Sequence, residues 1–110
     1  MDPLARRLRA LYAEDERLSA QIATSAAYVE RVRVRAQIVG LENGTLLWLE
    51  ERAHLPDRER IPSVLADSLG IALSSANDRL NRLWRAGVVE RTPIFPARAG
   101  RRCYSYRVPT

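Results

Sequence analysis

Between Leu73 and Arg85 the side chains that can do recognition chemistry are Ser74, Ser75, Asp78, Asn81, Arg82 and Arg85. At about 100° per residue they share one face of a helix, while Leu73, Ala76, Leu80, Leu83 and Gly87 share the opposite face and Trp84 lies at the margin. The polar face carries hydroxyls, one amide, one carboxylate and two guanidinium groups, and no large apolar side chain. That set can read base edges in a major groove. Asn81 suits adenine, Arg82 suits guanine, and Asp78 can accept from a cytosine amino group or exclude wrong sequences by repelling phosphate. Ser74 and Ser75, at the start of the helix, can reach phosphates or base edges, and Arg85 adds charge.

Such a face needs elements that hold it. Val64, Leu65 and Leu69 recur at helical spacing, so a short helix precedes the polar one. Ser63 is placed to cap it, and Gly70 suits a left-handed C-terminal position. A turn of a few residues follows, with Ile71 pinned in the core. Gly87 ends the second helix, and Val88, Val89, Glu90 and Arg91 begin a strand. Pro93 and Pro96 put the next segment at a sheet edge or outside it. Residues 97–102 read as a hairpin loop, with Gly100 free to take a positive φ, and residues 103–108 as a returning strand. Arg98, Arg101 and Arg102 at the tip are placed to reach phosphates or a minor groove. Tyr104 and Tyr106 share a face of the strand, core or solvent.

The run from Leu65 to Arg91, LADSLGIALSSANDRLNRLWRAGVVER, resembles the winged helix-turn-helix regulators of the MarR and ArsR type. The likeness rests on Leu-Ala, Leu-Gly, Ser-Ser opening the recognition helix, Leu-x-x-Leu, and Ala-Gly-Val-Val-Glu-Arg. A looser likeness extends from about Thr45 to Val108. Asp78 departs from the pattern, where a cationic or other polar residue is common, and so does Trp84, where a polar residue is usual. The resemblance implies a mainly α fold with a small β-hairpin wing, DNA as partner, and transcriptional regulation, more often repression. Regulators of this type often hold a small-molecule effector between a dimer arm and the DNA-binding core, and no residue here identifies one.

Charge supports a polyanion-binding end. Every one of the 18 basic residues is Arg, and the net charge is +5. Residues 1–78 hold ten Arg and twelve acids, a balance of −2; residues 79–110 hold eight Arg against Glu90, a balance of +7. That asymmetry is the electrostatic footprint of nucleic-acid binding. His54 and Cys103 are the sole residues of their types, too few for a metal site of the usual kinds in one chain. No cofactor is expected. With no His-containing nucleophile set, no glycine-rich phosphate loop and no paired metal ligands, neither is enzymatic chemistry. No secretory signal or apolar run of spanning length is present, which places the protein in the cytoplasm with no membrane partner.

The N-terminal stretch has a pattern of its own. Asp2-Pro3 reads as a helix start. Leu4, Leu8, Leu11, Asp15, Leu18, Ile22, Ser25, Val29, Val32, Ala36 and Val39 alternate spacings of four and three, a heptad seam. One helix of this length would be roughly 54 Å long, with an apolar stripe too long for a small domain to cover. Pairing of two copies through Leu4, Leu8, Leu11, Leu18, Ile22, Val29 and Val32 is the first expectation. The alternatives are an antiparallel pairing or a break near the small-residue run at 23–27, the latter giving two amphipathic helices folded back on the core. Asp15 is a defect in a parallel seam, with Arg17 a candidate to soften it. Arg6, Arg7 and Arg9, and later Arg31, Arg33 and Arg35, lie mostly off the seam, each cluster on a solvated face or in reach of phosphate. Gly40 and Asn43-Gly44 close the arm, and Thr45 is placed to cap the next helix.

The expected architecture is thus a long dimerising N-terminal helix over residues 1–40 and a winged helix-turn-helix over 45–110. The expected activity is sequence-selective binding of double-stranded DNA by a homodimer. Two further classes share the fold: a plasmid or phage DNA-organising (partition) protein, and a protein-interaction module.

Overall fold

In the computed structural model, residues 2–21, 24–94 and 103–109 are described. Helix α1 spans Pro3–Ser19 and α2 spans Ser25–Glu42. They are followed by α3 (Thr45–Glu51), a 3₁₀ turn (Asp57–Glu59), α4 (Pro62–Leu69) and α5 (Leu73–Arg85). Strands β1 (Glu90–Ile94) and β2 (Cys103–Arg107) form an antiparallel hairpin that pairs Glu90 with Arg107 and Ile94 with Cys103. This is the expected mainly helical fold with a β-hairpin wing.

The N-terminal stretch is two helices, not one. Asp2 caps α1, accepting from the Leu4 amide at 3.3 Å, with Pro3 in the first turn. The helix ends at Ser19, and Thr24 caps α2 by accepting from the Ala27 amide at 3.1 Å. Helix α2 starts within the small-residue run, at Ser25, where the Thr24 hydroxyl competes well for a backbone amide. The two helices pack antiparallel, so the seam closes on itself. Leu18, Val34 and Ile38 form a small core flanked by Leu8 and Leu11. Leu4, Leu8 and Leu11 also pack on the main core. The long dimerising helix is therefore corrected: Leu4, Leu8, Leu11 and Leu18 are taken up within the chain. Folding back buries this part of the stripe without the entropic cost of associating two molecules. Ile22 lies outside the described residues. Val29 and Val32 remain exposed, at 63% and 39%, beside the 70% exposed Tyr28.

The hairpin also removes the Asp15 defect. Asp15 Oδ1 accepts from Arg35 Nε at 3.0 Å and lies 3.5 Å from Arg31 Nε. Arg17 pairs with Glu14 instead. Tyr12 donates to Glu42 at 3.0 Å and Arg7 to Glu50 at 2.8 Å, tying α1 to α2 and to α3.

The main core joins Ala36 and Leu41 of α2 to Leu46, Trp48, Leu49, Leu65, Ala76, Leu80, Leu83, Val88, Val89 and Tyr106. Gly40 does not end the arm; it lies inside α2. A Cβ there would sit 2.9 Å from Leu83 Cδ2 and 3.3 Å from Leu46 Cβ, so glycine lets α2 approach α5 closely. Thr45 is not the cap of α3. Gly44, at φ +82°, holds that position, and the Asn43 side chain accepts from the Thr45 amide at 3.0 Å. Nor does Ser63 cap α4: Pro62 begins the helix and holds Ile61 extended before it. Arg60, 4% exposed, donates to the carbonyls of Arg52, Leu55 and Tyr106 and to Asp57. Its own carbonyl accepts from the Tyr106 amide at 3.0 Å. One backbone bond, a buried guanidinium and a Ser105 hydroxyl bond to Asp57 thus join this segment to the wing.

Candidate nucleic-acid interface

Helix α5 is held from three sides. Ala76, Leu80 and Leu83, at 0–2% exposure, anchor it in the core. Leu73 is not among these anchors, being 53% exposed at the first position of the helix. Ahead of it, α4 ends on Gly70 at φ +64°, and the Ile71 amide donates to the Ala66 carbonyl at 3.0 Å. This fixes the turn between the helices. No side chain caps α5. Its first amides are open to solvent or to an anion, and the dipole at that end favours negative charge.

Ser74, Asp78, Arg82 and Arg85 are exposed and Ser75 is half-buried. Neither Arg82 nor Arg85 has an ion-pair partner among the described residues. Two free guanidinium groups, one carboxylate and the serine hydroxyls therefore share a solvent-facing surface. A major groove admits a helix that carries such a surface.

Asn81 occupies a different position. Its Oδ1 accepts from the Tyr106 hydroxyl at 2.8 Å and from Arg91 Nη1 at 3.3 Å. Reading adenine in bidentate fashion needs that oxygen as an acceptor; here it already joins α5 to the wing. Arg91, the second residue of β1, is the centre of this joint. Its guanidinium lies 3.4 Å from the Trp84 ring centroid and 4.1 Å from that of Tyr104. Stacking of this kind contributes about 0.5–2 kcal/mol per ring. Arg91 pairs with Tyr106 across the hairpin, so all these side chains share one face of the sheet. That decides the open question: Tyr104 and Tyr106 face the helix, and Tyr106 is 2% exposed. Trp84 at the margin of the polar face is thus the platform for a wing arginine. The only sequence signal for the joint was the shared face of Tyr104 and Tyr106.

On the opposite flank α5 runs beside α2. Arg79 Nη1 donates to the Asn43 carbonyl at 3.2 Å, a tie the sequence did not reveal. Beyond it a groove of about 570 Å³ opens between Val32, Arg35 and Val39 of α2 and Asp78, Arg82 and Arg85 of α5. Arg98, Arg101 and Arg102 belong to the segment joining Ile94 to Cys103 and lie outside the described residues. His54 is exposed, Cys103 is a free, half-buried thiol, and Trp48 is a core residue. No helix among the described residues is long and apolar enough to cross a membrane.

Two helices joined by a tight glycine turn, the second presenting polar and cationic side chains and leading into a hairpin, define a winged helix-turn-helix. Residues 62–90 match the family model described as winged helix-turn-helix DNA-binding, which covers α4, α5 and the first residue of β1. No curated protein and no solved structure matches the chain. The match supports DNA as the partner of this fold.

Proposed function

We propose that this chain is a sequence-selective double-stranded DNA-binding protein that regulates transcription, by repression. The observation that carries the reading is the solvent-facing surface of α5, where Arg82 and Arg85 are free of ion pairs beside Ser74, Ser75 and Asp78. Arg82 and Arg85 take guanine edges or phosphates, Asp78 takes a cytosine amino group, and the serines with the uncapped amides take phosphate. Asn81 acts by holding the wing, its amide NH₂ left for a base or a phosphate. Arg98, Arg101 and Arg102 supply further phosphate contacts from the wing.

One helix contacts few base pairs, and each good bidentate contact discriminates by only about 1–3 kcal/mol. Two copies on an inverted repeat would multiply that selectivity. The surface we assign to self-association is the exposed pair Tyr28 and Val29, beside the groove. A partition or other DNA-organising role is the second reading, and the +7 balance of residues 79–110 favours it over a protein-interaction module. Selection of bound duplexes from a random pool, followed over a salt series, tests the reading. Enrichment of an inverted repeat is expected. Binding without enrichment that vanishes at moderate salt would favour the organising role, and binding to no duplex would overturn the proposal.

A further inference from the structure

We propose that the groove between α2 and α5 seats one phosphate strand of the bound duplex, with Arg35 of α2 as a phosphate contact. The inference rests on the reading of α5 as the recognition helix. A helix with its side chains is about 10–12 Å across, and the major groove is about 12 Å wide. A helix that enters the groove fills it, so the two phosphate strands pass over whatever flanks the helix. On one flank of α5 lies the hairpin wing; on the other lies α2.

The α2 flank is shaped and charged for this. The groove holds about 570 Å³ and carries three guanidinium groups, Arg35, Arg82 and Arg85, against one carboxylate, Asp78. An anion is the occupant that this charge complements. Arg35 can turn to it without leaving a carboxylate bare. Asp15 Oδ1 sits 3.0 Å from Arg35 Nε and 3.5 Å from Arg31 Nε, one negative charge shared by two cations. The Arg35 side chain is 56% exposed, while Asp15 is 22% exposed. When Arg35 moves to a phosphate, Arg31 keeps Asp15 paired.

The test uses the whole 110-residue chain and the tightest duplex from the selection above, with affinity measured from about 50 to 200 mM salt. Each phosphate contact contributes about 0.9 to the slope of log affinity against log salt. Arg35→Ala should lower that slope by about 0.9, so the affinity lost over this fourfold range of salt shrinks about 3.5-fold. Arg33→Ala, an exposed arginine outside the groove lining, should leave the slope unchanged. Asp15→Asn should leave it unchanged or steepen it, since Arg35 is then released. An unchanged slope for Arg35→Ala, beside a lowered slope for Arg85→Ala, would overturn this inference and leave the recognition helix standing. So would an equal loss from Asp15→Asn, which would make Arg35 a tie between α1 and α2 only. If the wild-type chain binds no duplex, both readings fall.

Discussion

The two flanks of α5 are built in opposite ways. On the wing side the polar groups of Asn81, Arg91 and Tyr106 are engaged within the chain. Tyr106 and Arg91 both donate to Asn81, and Arg91 lies between the Trp84 and Tyr104 rings. On the α2 side the helices meet tightly only where Gly40 admits Leu83; farther along, Arg82 and Arg85 face an open groove. The first flank sets the angle of the hairpin against the helix. The second leaves charge for a partner. A cationic side chain that is stacked and hydrogen-bonded is a structural part, whereas one without a partner beside a groove is available for binding. Charge alone does not separate Arg91 from Arg85; their surroundings do.

Substitutions on the wing flank should therefore act first on stability, and those on the α2 flank on binding. The largest effect is expected at Tyr106, 2% exposed and packed in the main core. Tyr106→Ala should destabilise the fold by about 3–5 kcal/mol, the usual loss for a buried aromatic, measured by urea unfolding. A loss below about 1 kcal/mol would mean the hairpin is not anchored through this residue. Next come Arg82 and Arg85. Each changed to Ala should weaken duplex binding by about 1–3 kcal/mol with the unfolding midpoint unchanged. A matching fall in stability would erase the contrast between the flanks.

Tyr106→Phe sharpens the comparison further. It keeps the ring and removes the hydroxyl bonded to Asn81, so a loss of about 1 kcal/mol is expected. Binding should weaken through a looser wing, and a second change at Arg91 should then cost less than it does alone. Full additivity of the two would show that Tyr106 and Arg91 do not share one joint. The smallest effect belongs to a pair outside both flanks. Arg17 donates to Glu14 and holds its carboxyl below the ordinary carboxylate range. A depressed folded-state pKa adds stability above the ordinary value and loses it as pH falls through the folded one. Glu14→Gln should thus melt marginally earlier than wild type at pH 7 and together with it in acid. Because the pair lies at the surface, a large shift at pH 7 would contradict the structure.

The helix-turn-helix was legible in the sequence because its signals are local. Leu65, Leu69 and Gly70 mark one helix and its end; Ala76, Leu80 and Leu83 mark the buried face of the next; Gly87 with Val88 and Val89 marks the turn toward the hairpin. Each lies within one or two turns of its neighbours, and periodicity reads such spacing directly. Ser74, Asp78, Arg82 and Arg85 were placed on the outward face by the same arithmetic. The caps were less legible. Ser63 and Thr45 have the right chemistry, but Pro62 and Asn43-Gly44 satisfy the helix starts first, and the choice depends on how the preceding chain enters.

The sequence by itself determined that an apolar seam exists from Leu4 to Val39, that α5 has two faces, and that positive charge gathers after residue 79. Only the tertiary structure decided what covers that seam. A heptad stripe is buried equally well by a second chain or by its own other half, and here α1 and α2 pack on each other and cover Leu8, Leu11 and Leu18 within the chain. Tertiary structure also decided the partners of the charges. Asp15 meets Arg31 and Arg35, and Asn81 meets Arg91 and Tyr106, across separations of 10 to 25 residues or contacts between elements that no periodicity encodes. An ion pair or a stacked guanidinium depends on distances of a few ångströms, and those are set by how helices and hairpin pack.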